Sequence, residues 1–131
     1  MRLFLLDTDT CIAILRGKME ASAELDQTPL DALAISSITA YELLVGAEKG
    51  ADPNTRRRTD EFLETIPTLD FDLNAARSAA HIRVYLEKKG LRIGAYDLQI
   101  AGHALAEKRT LVTHNRGEFS RVRSLKLEDW I

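Results

Sequence analysis

Five polar side chains scattered along the chain have the types and positions for oxygen-ligated metal chemistry: Asp7, Glu42, Asp97, Asn115 and Glu118. Asp7 directly follows the apolar run Leu3–Leu6. Glu42 lies about one turn into a helical pattern that leaves a second apolar run after Ser36-Ser37. Asn115 and Glu118 come just after a third run, which ends at Thr113. Asp97 opens a helical pattern, where free backbone N–H groups and the helix dipole favour a carboxylate. Ligands of parallel α/β sheets bind outside the carboxyl ends of the strands. Short connections would therefore put Asp7, Glu42 and Asn115 on one rim, with Asp97 delivered from a neighbouring helix start.

Carboxylates gathered in this way are costly. Two like charges ~4 Å apart repel by about 4 kcal/mol at an effective dielectric near 20. Three such pairs approach roughly 12 kcal/mol, comparable with the stability of a whole domain. A bound cation relieves that repulsion at neutral pH, and ligands that are all oxygen select Mg²⁺ or Mn²⁺ over zinc. The same residues also have a plainer reading. Asp7-Thr8-Asp9-Thr10 can be a turn whose Asp caps the helix through Ile12, Ile14 and Leu15, and Asp97 can be no more than a cap. Glu42 fits that reading less well, because Tyr41, Leu43, Leu44 and Val45 surround it.

The elements that must position these groups follow from periodicity. Leu3–Leu6, Ala32–Ile35, Thr68–Phe71 and Thr110–Val112 read as buried strands, with Leu125–Leu127 as a fifth at an edge. Helical patterns cover Ile38–Lys49, Pro53–Ile66, a long segment from Leu73 ended by Gly90, and Asp97–Lys108. The long segment shows a stripe of Leu73, Ala76, Ala80 and Val84, and Asp97–Lys108 a stripe of Ala101, Ala104 and Leu105. Strands alternating with helices imply an α/β fold with a mainly parallel sheet of four or five strands.

Composition narrows the classes further. The 131 residues have room for one domain, 1–131, and 45% hydrophobic with 29% charged residues is a globular balance rather than a disordered one. Eighteen Lys+Arg against 20 Asp+Glu leave a formal charge of −2, which argues against a polybasic nucleic-acid binder. Cys11 is the only cysteine, so no internal disulfide and no Cys/His zinc site arise, and a reducing, cytoplasmic setting fits. No apolar stretch is long enough for a transmembrane helix.

Four segments in register resemble the signature of PIN-domain nucleases, specifically VapC-type toxins of toxin–antitoxin pairs. They are Leu5-Leu6-Asp7-Thr8-Asp9, the segment Ser36 to Ala47, Ile93-Gly94-Ala95-Tyr96-Asp97-Leu98-Gln99-Ile100-Ala101, and Leu111 to Val122. The resemblance implies a three-layer α/β/α PIN fold and a Mg²⁺- or Mn²⁺-dependent endoribonuclease acting on RNA, tRNA included. It also implies a VapB-like antitoxin partner and a homodimer. By position, Asp7 and Asp97 match direct metal ligands, and Glu42 matches a ligand or a holder of coordinated water. Asn115 stands where many relatives carry a fourth acid, which puts a second metal in question, and Glu118 is placed to supply the missing charge. Asp9 stands where many relatives have Asn.

Such a site activates water for attack on an RNA phosphodiester and leaves 5′-phosphate and 3′-hydroxyl ends. Without Asp7, Glu42 and Asp97 the formal charge moves from −2 to +1, so RNA would be held by local basic groups. Arg116 and Arg121, with Arg123, are the first candidates for phosphate contacts, ahead of Arg56-Arg57-Arg58 and Lys88-Lys89 with Arg92. His81 and His103 read as surface or packing residues, His114 lies nearer the site, Cys11 reads as core, and Trp130 as an anchor for the C-terminal end. Two rivals share these residues. One is a PIN-like interaction module without catalysis, for which only Asn115 speaks. The other is a haloacid-dehalogenase-like phosphatase using Asp7 as nucleophile, for which Cys11 is the wrong residue and the chain is short.

Overall fold

The computed structural model describes residues 1–131. Five strands are present: β1 Phe4–Leu6, β2 Ile35–Ser36, β3 Thr68–Leu69, β4 Thr110–Val112 and β5 Leu127–Glu128. Parallel ladders join β1 to β4, β4 to β5 and β2 to β3. The two ladder sets are formally separate, in the orders β1-β4-β5 and β2-β3. One backbone bond, Leu6 N–H to Ala34 C=O at 3.0 Å, links β1 to the residue before β2. The expected mainly parallel sheet of four or five strands is met by five parallel strands, with a seam between β1 and β2.

Seven helices surround it: α1 Thr8–Leu15, α2 Met19–Gln27, α3 Ser37–Lys49, α4 Pro53–Thr65, α5 Leu73–Lys88, α6 Ala95–Ala106 and α7 Arg116–Phe119. Strand alternation assigns them to layers, because successive side chains point to opposite faces. Phe4, Leu6, Ile35 and Val112 enter one core with Cys11, Leu43, Phe62 and Trp130. Leu5, Ala34 and Leu111 enter a second core with Ile82, Leu86, Ile100 and Phe119. Helices α1 to α4 therefore cover one face and α5 to α7 the other, which makes a three-layer α/β/α arrangement. Trp130 is buried, its ring edge-on to Phe4 at 5.6 Å, so it does anchor the C-terminal end.

Several boundaries differ from the expected ones. Leu30–Ala32 form a 3₁₀ turn following Pro29, so the second strand begins at Ile35 and not at Ala32. The edge strand is Leu127–Glu128, set by its pairing with Leu111 and Val112. Helix α2 carries no strong apolar stripe, burying Ala21 alone, which is why periodicity does not announce it. The largest correction concerns α5. Its buried residues are Ala75, Ala79, Ile82 and Leu86, while Leu73 and Val84 of the expected stripe are exposed. Both stripes have helical spacing, and the partner chooses between them. Gly102 of α6 approaches so closely that a Cβ there would lie 2.6 Å from the Ala79 backbone.

Candidate active site

The chain leaves β1 toward β2 and leaves β4 toward β5, so the carboxyl ends of these adjacent strands open a crevice between diverging connections. Asp7 stands in it as the residue after β1. Its extended backbone (φ −76°, ψ 171°) makes it the N-cap of α1, and its carboxylate accepts from Thr10 N–H at 2.8 Å. The capping reading and the site reading therefore both apply to Asp7. It is 2% exposed, and burial raises its pKa, with the Thr113 hydroxyl and the Thr10 N–H pulling the other way.

Glu42 reaches the crevice from α3, whose N-cap is Ser36. Inward positions on α3 are taken by Thr39, Leu43 and Ala47, which leaves Glu42 half-buried at the edge. The Thr8 hydroxyl donates to Glu42 Oε1 at 2.6 Å and so ties the carboxylate to the first residue of α1. Asp97 is the third residue of α6, in its first turn, and Gly94 occupies the cap position. Asp97 is therefore not the cap of this helix, against the plainer reading. Its pKa is pushed up to about 6, first by burial and then by the charges of Asp7, Glu118, Glu42 and Asp9.

Asn115 is the third residue after β4. Its backbone N–H donates to the Thr113 hydroxyl at 2.9 Å, and its amide Nδ2 donates to Glu118 Oε2 at 3.2 Å. The amide therefore orients Glu118, the neighbour whose charge stands after that of Asp7 in raising Asp97. Arg116 begins α7 directly beside this pair and is exposed. Arg121 lies past α7, its guanidinium donating to the Arg92 carbonyl, which fixes it to the connection between α5 and α6. Arg56 and Arg57 are engaged on the helical surface, Arg56 with the Ala47 carbonyl and Arg57 with Glu61. His114 is exposed and contacts Asp129 at 2.9 Å.

Asp7, Glu118, Glu42 and Asp9 thus each come within electrostatic reach of Asp97. No three His, Cys, Asp or Glu side chains are close enough together to form a ready cation cage. The donor set still suits Mg²⁺ or Mn²⁺. It is all oxygen and crowds like charge around a partly buried Asp97, while Mg²⁺ typically takes one or two protein carboxylates and keeps several waters.

Three supporting groups have partners that motif reading does not reveal. Thr8 and Thr113 are hydroxyls whose partners are set by the fold alone. His103 is fully buried, its Nδ1 2.8 Å from Ser36 Oγ and its ring edge-on to Phe71 at 5.6 Å. It braces the N-cap of the helix that carries Glu42, so it is a packing residue, while His81 is exposed.

Comparison with known proteins identifies the family. The PIN domain family matches residues 4–125. A protein of Salmonella typhimurium named tRNA(fMet)-specific endonuclease VapC is 40% identical over 128 residues, covering 97% of each chain. A protein of the same name from Shigella flexneri is 38% identical, again over 97% of each. Among solved structures, DNA-bound VapBC from Salmonella typhimurium superposes with a TM-score of 0.94 at 37% identity over 100% of both chains. The chain belongs to the PIN-domain family and, within it, to the VapC proteins.

Proposed function

We propose that this chain is a VapC-type endoribonuclease toxin that hydrolyses RNA phosphodiester bonds with Mg²⁺ or Mn²⁺ and is held in check by a VapB-like antitoxin. The observation that carries the reading is the convergence on Asp97 of four other carboxylates drawn from β1, α3 and α7 and their flanks. Like charges assembled at such cost, with no Lys or Arg ion-paired to Asp7, Glu42 or Asp97, call for a divalent ion. Family membership and the names of the relatives point to RNA as substrate. Residues 1–131 are read as one PIN domain.

Asp7 and Asp97 would hold the ion, with Glu42 as a further ligand or a support for coordinated water. When bound, the ion neutralises phosphate charge and lowers the pKa of water so that hydroxide is available near neutrality. The protein supplies orientation. Thr10 N–H fixes the Asp7 carboxylate, and the Thr8 hydroxyl engages Glu42 Oε1, leaving Oε2 to accept from water. Glu118, positioned by Asn115, adds negative charge beside Asp97 without needing to ligate. Arg116, exposed at the start of α7, would meet a flanking phosphate.

A partner reading rests on the VapBC complexes among the structural neighbours. It is supported by a cleft of about 320 Å³ between α1, α3 and α4, lined by Ile12, Leu15, Leu43 and Ala47 and by Glu42. A segment seated there would cover Glu42 and so hinder access to the site.

The direct test is incubation of the purified chain with total RNA, with and without EDTA, followed by mapping of the cut ends. Cleavage that needs the divalent ion and leaves 5′-phosphate and 3′-hydroxyl ends is the expected result. Cleavage that survives EDTA and leaves 2′,3′-cyclic phosphate would overturn the mechanism.

A further inference from the structure

We propose that Tyr41 and Tyr96 form a stacking platform for an unpaired nucleobase next to the scissile phosphate. The proposal rests on the nuclease reading above and adds what that site selects. Each tyrosine directly precedes a candidate catalytic carboxylate, Glu42 on α3 and Asp97 on α6. The fold brings the two rings together at the rim, with centroids 5.7 Å apart and planes at 62°.

Neither ring is needed by the core. On α3 the buried positions are Thr39, Leu43 and Ala47, and on α6 they begin at Ile100. Tyr41 is 51% exposed and Tyr96 44% exposed. Two large aromatics left in water beside a phosphate-handling site have the chemistry of a single-strand nucleic-acid surface, where bases stack on aromatic faces regardless of sequence. The edge-on contact holds the rings in mutual register before substrate arrives, so little side-chain freedom is lost on binding. A base inside a duplex is stacked on both sides and offers no free face. The platform therefore favours loops, bulges and single strands.

Charge argues for a base over a second copy of the chain at this spot. A two-fold contact centred on the tyrosines would crowd two sets of Glu42 and Asp97 carboxylates together, and self-complementary interfaces repeat every repulsion. A nucleobase is neutral, and it brings its phosphate toward the place where a divalent ion would sit.

The experiment uses the full chain with Mn²⁺ on a short RNA, single-stranded or annealed to its complement. Tyr41→Ala and Tyr96→Ala are each expected to raise KM for the single strand roughly fivefold to a hundredfold, with kcat moved much less. Tyr41→Phe and Tyr96→Phe, which keep the ring, are expected to recover most of that loss. A second arm needs no cleavage. The Asp97→Asn protein binds RNA carrying 2-aminopurine, whose fluorescence is quenched by stacking and regained when either tyrosine is also changed to Ala. Active Ala variants with unchanged KM and unchanged preference for single strands overturn the platform. So does quenching that persists without the rings, or a KM loss that tracks a shift from dimer to monomer in sedimentation. If the wild-type chain cuts no RNA at all, the nuclease reading fails, and the quenching arm still decides the platform.

Discussion

In the first turn of α6, Asp97 faces the charges of four other carboxylates, whereas further along the same helix Gly102 and His103 are sealed against α5 and the Ser36 turn. The middle of the helix is built for stability. Ile100, Ala101, Gly102, His103 and Ala104 are all buried, and a glycine lets two helix backbones come into contact. The first turn gives stability up, because burial and like charge hold the Asp97 carboxyl at about 6. One rigid element thus carries a strained charge at its end and anchors it by tight packing in its middle. Activity and stability should therefore respond in opposite directions to changes at the two places.

The largest expected effect is on activity at the first turn. Asp97→Asn should lower the cleavage rate by at least ~100-fold, beyond the 10–100-fold typical of losing an outer-shell partner. Its metal-free melting temperature at pH 7.5 should hold or rise, since a repelled charge is gone. A variant that both unfolds more easily and keeps cutting would remove the contrast. In the middle of the helix, Gly102→Ala should cost about 1–3 kcal/mol or more, because the new methyl meets backbone that cannot swing away. Thermal denaturation should show this as a loss of several degrees, with the activity of the remaining folded protein little changed.

A smaller effect sharpens the account of the site. Thr8→Val keeps the shape but removes the donor to Glu42 Oε1, and about a tenfold fall in cleavage with little change in melting is expected. Retained activity would show that Glu42 needs no such tether.

The smallest effect is a pH slope. Asp97 binds its proton more tightly folded than unfolded, so the stability it contributes is full below pH ~4 and is lost as pH rises through about 6. After allowance for its half-exposure this amounts to about 1–2 kcal/mol. His103 slopes the other way, since burial lowers its pKa and its contribution is full above pH ~6.5 and lost on acidification. In melting curves of metal-free protein from pH 4.5 to 7.5, Asp97→Asn should therefore lose the fall in stability that the wild-type Asp97 imposes between pH 4.5 and about 6, and Mg²⁺ should raise the wild-type melting temperature more at pH 7.5 than at pH 5. Equal gains at both pH values would count against a carboxylate-bound ion.

Reading from sequence reached β4 to the residue and α3, α4 and α6 to within about two residues. Those elements end at local signals: Ser36, Asp52 and Pro53 at starts, and apolar runs cut by polar residues. It reached α5 as a helix but chose the wrong face. An Ala-rich helix offers two stripes of equal hydrophobicity, and only the close approach of Gly102 to Ala79 selects between them. The acids Asp7, Glu42 and Asp97 were legible because each sits next to an apolar strand or helix start. The partners of Thr8 and Thr113 and the Tyr41–Tyr96 contact were not, because nothing in their neighbourhood along the chain specifies a partner.

The amino-acid order by itself determined the alternation of strands and helices and the kinds of group at the strand ends, since periodicity and capping act within a few residues. The tertiary structure alone decided which carboxylates share a field, which proton Asp97 keeps, which face of α5 is buried and where two tyrosines meet. Those outcomes depend on distances between segments remote in the chain, and electrostatics and packing respond to distance in space, not to separation along the backbone.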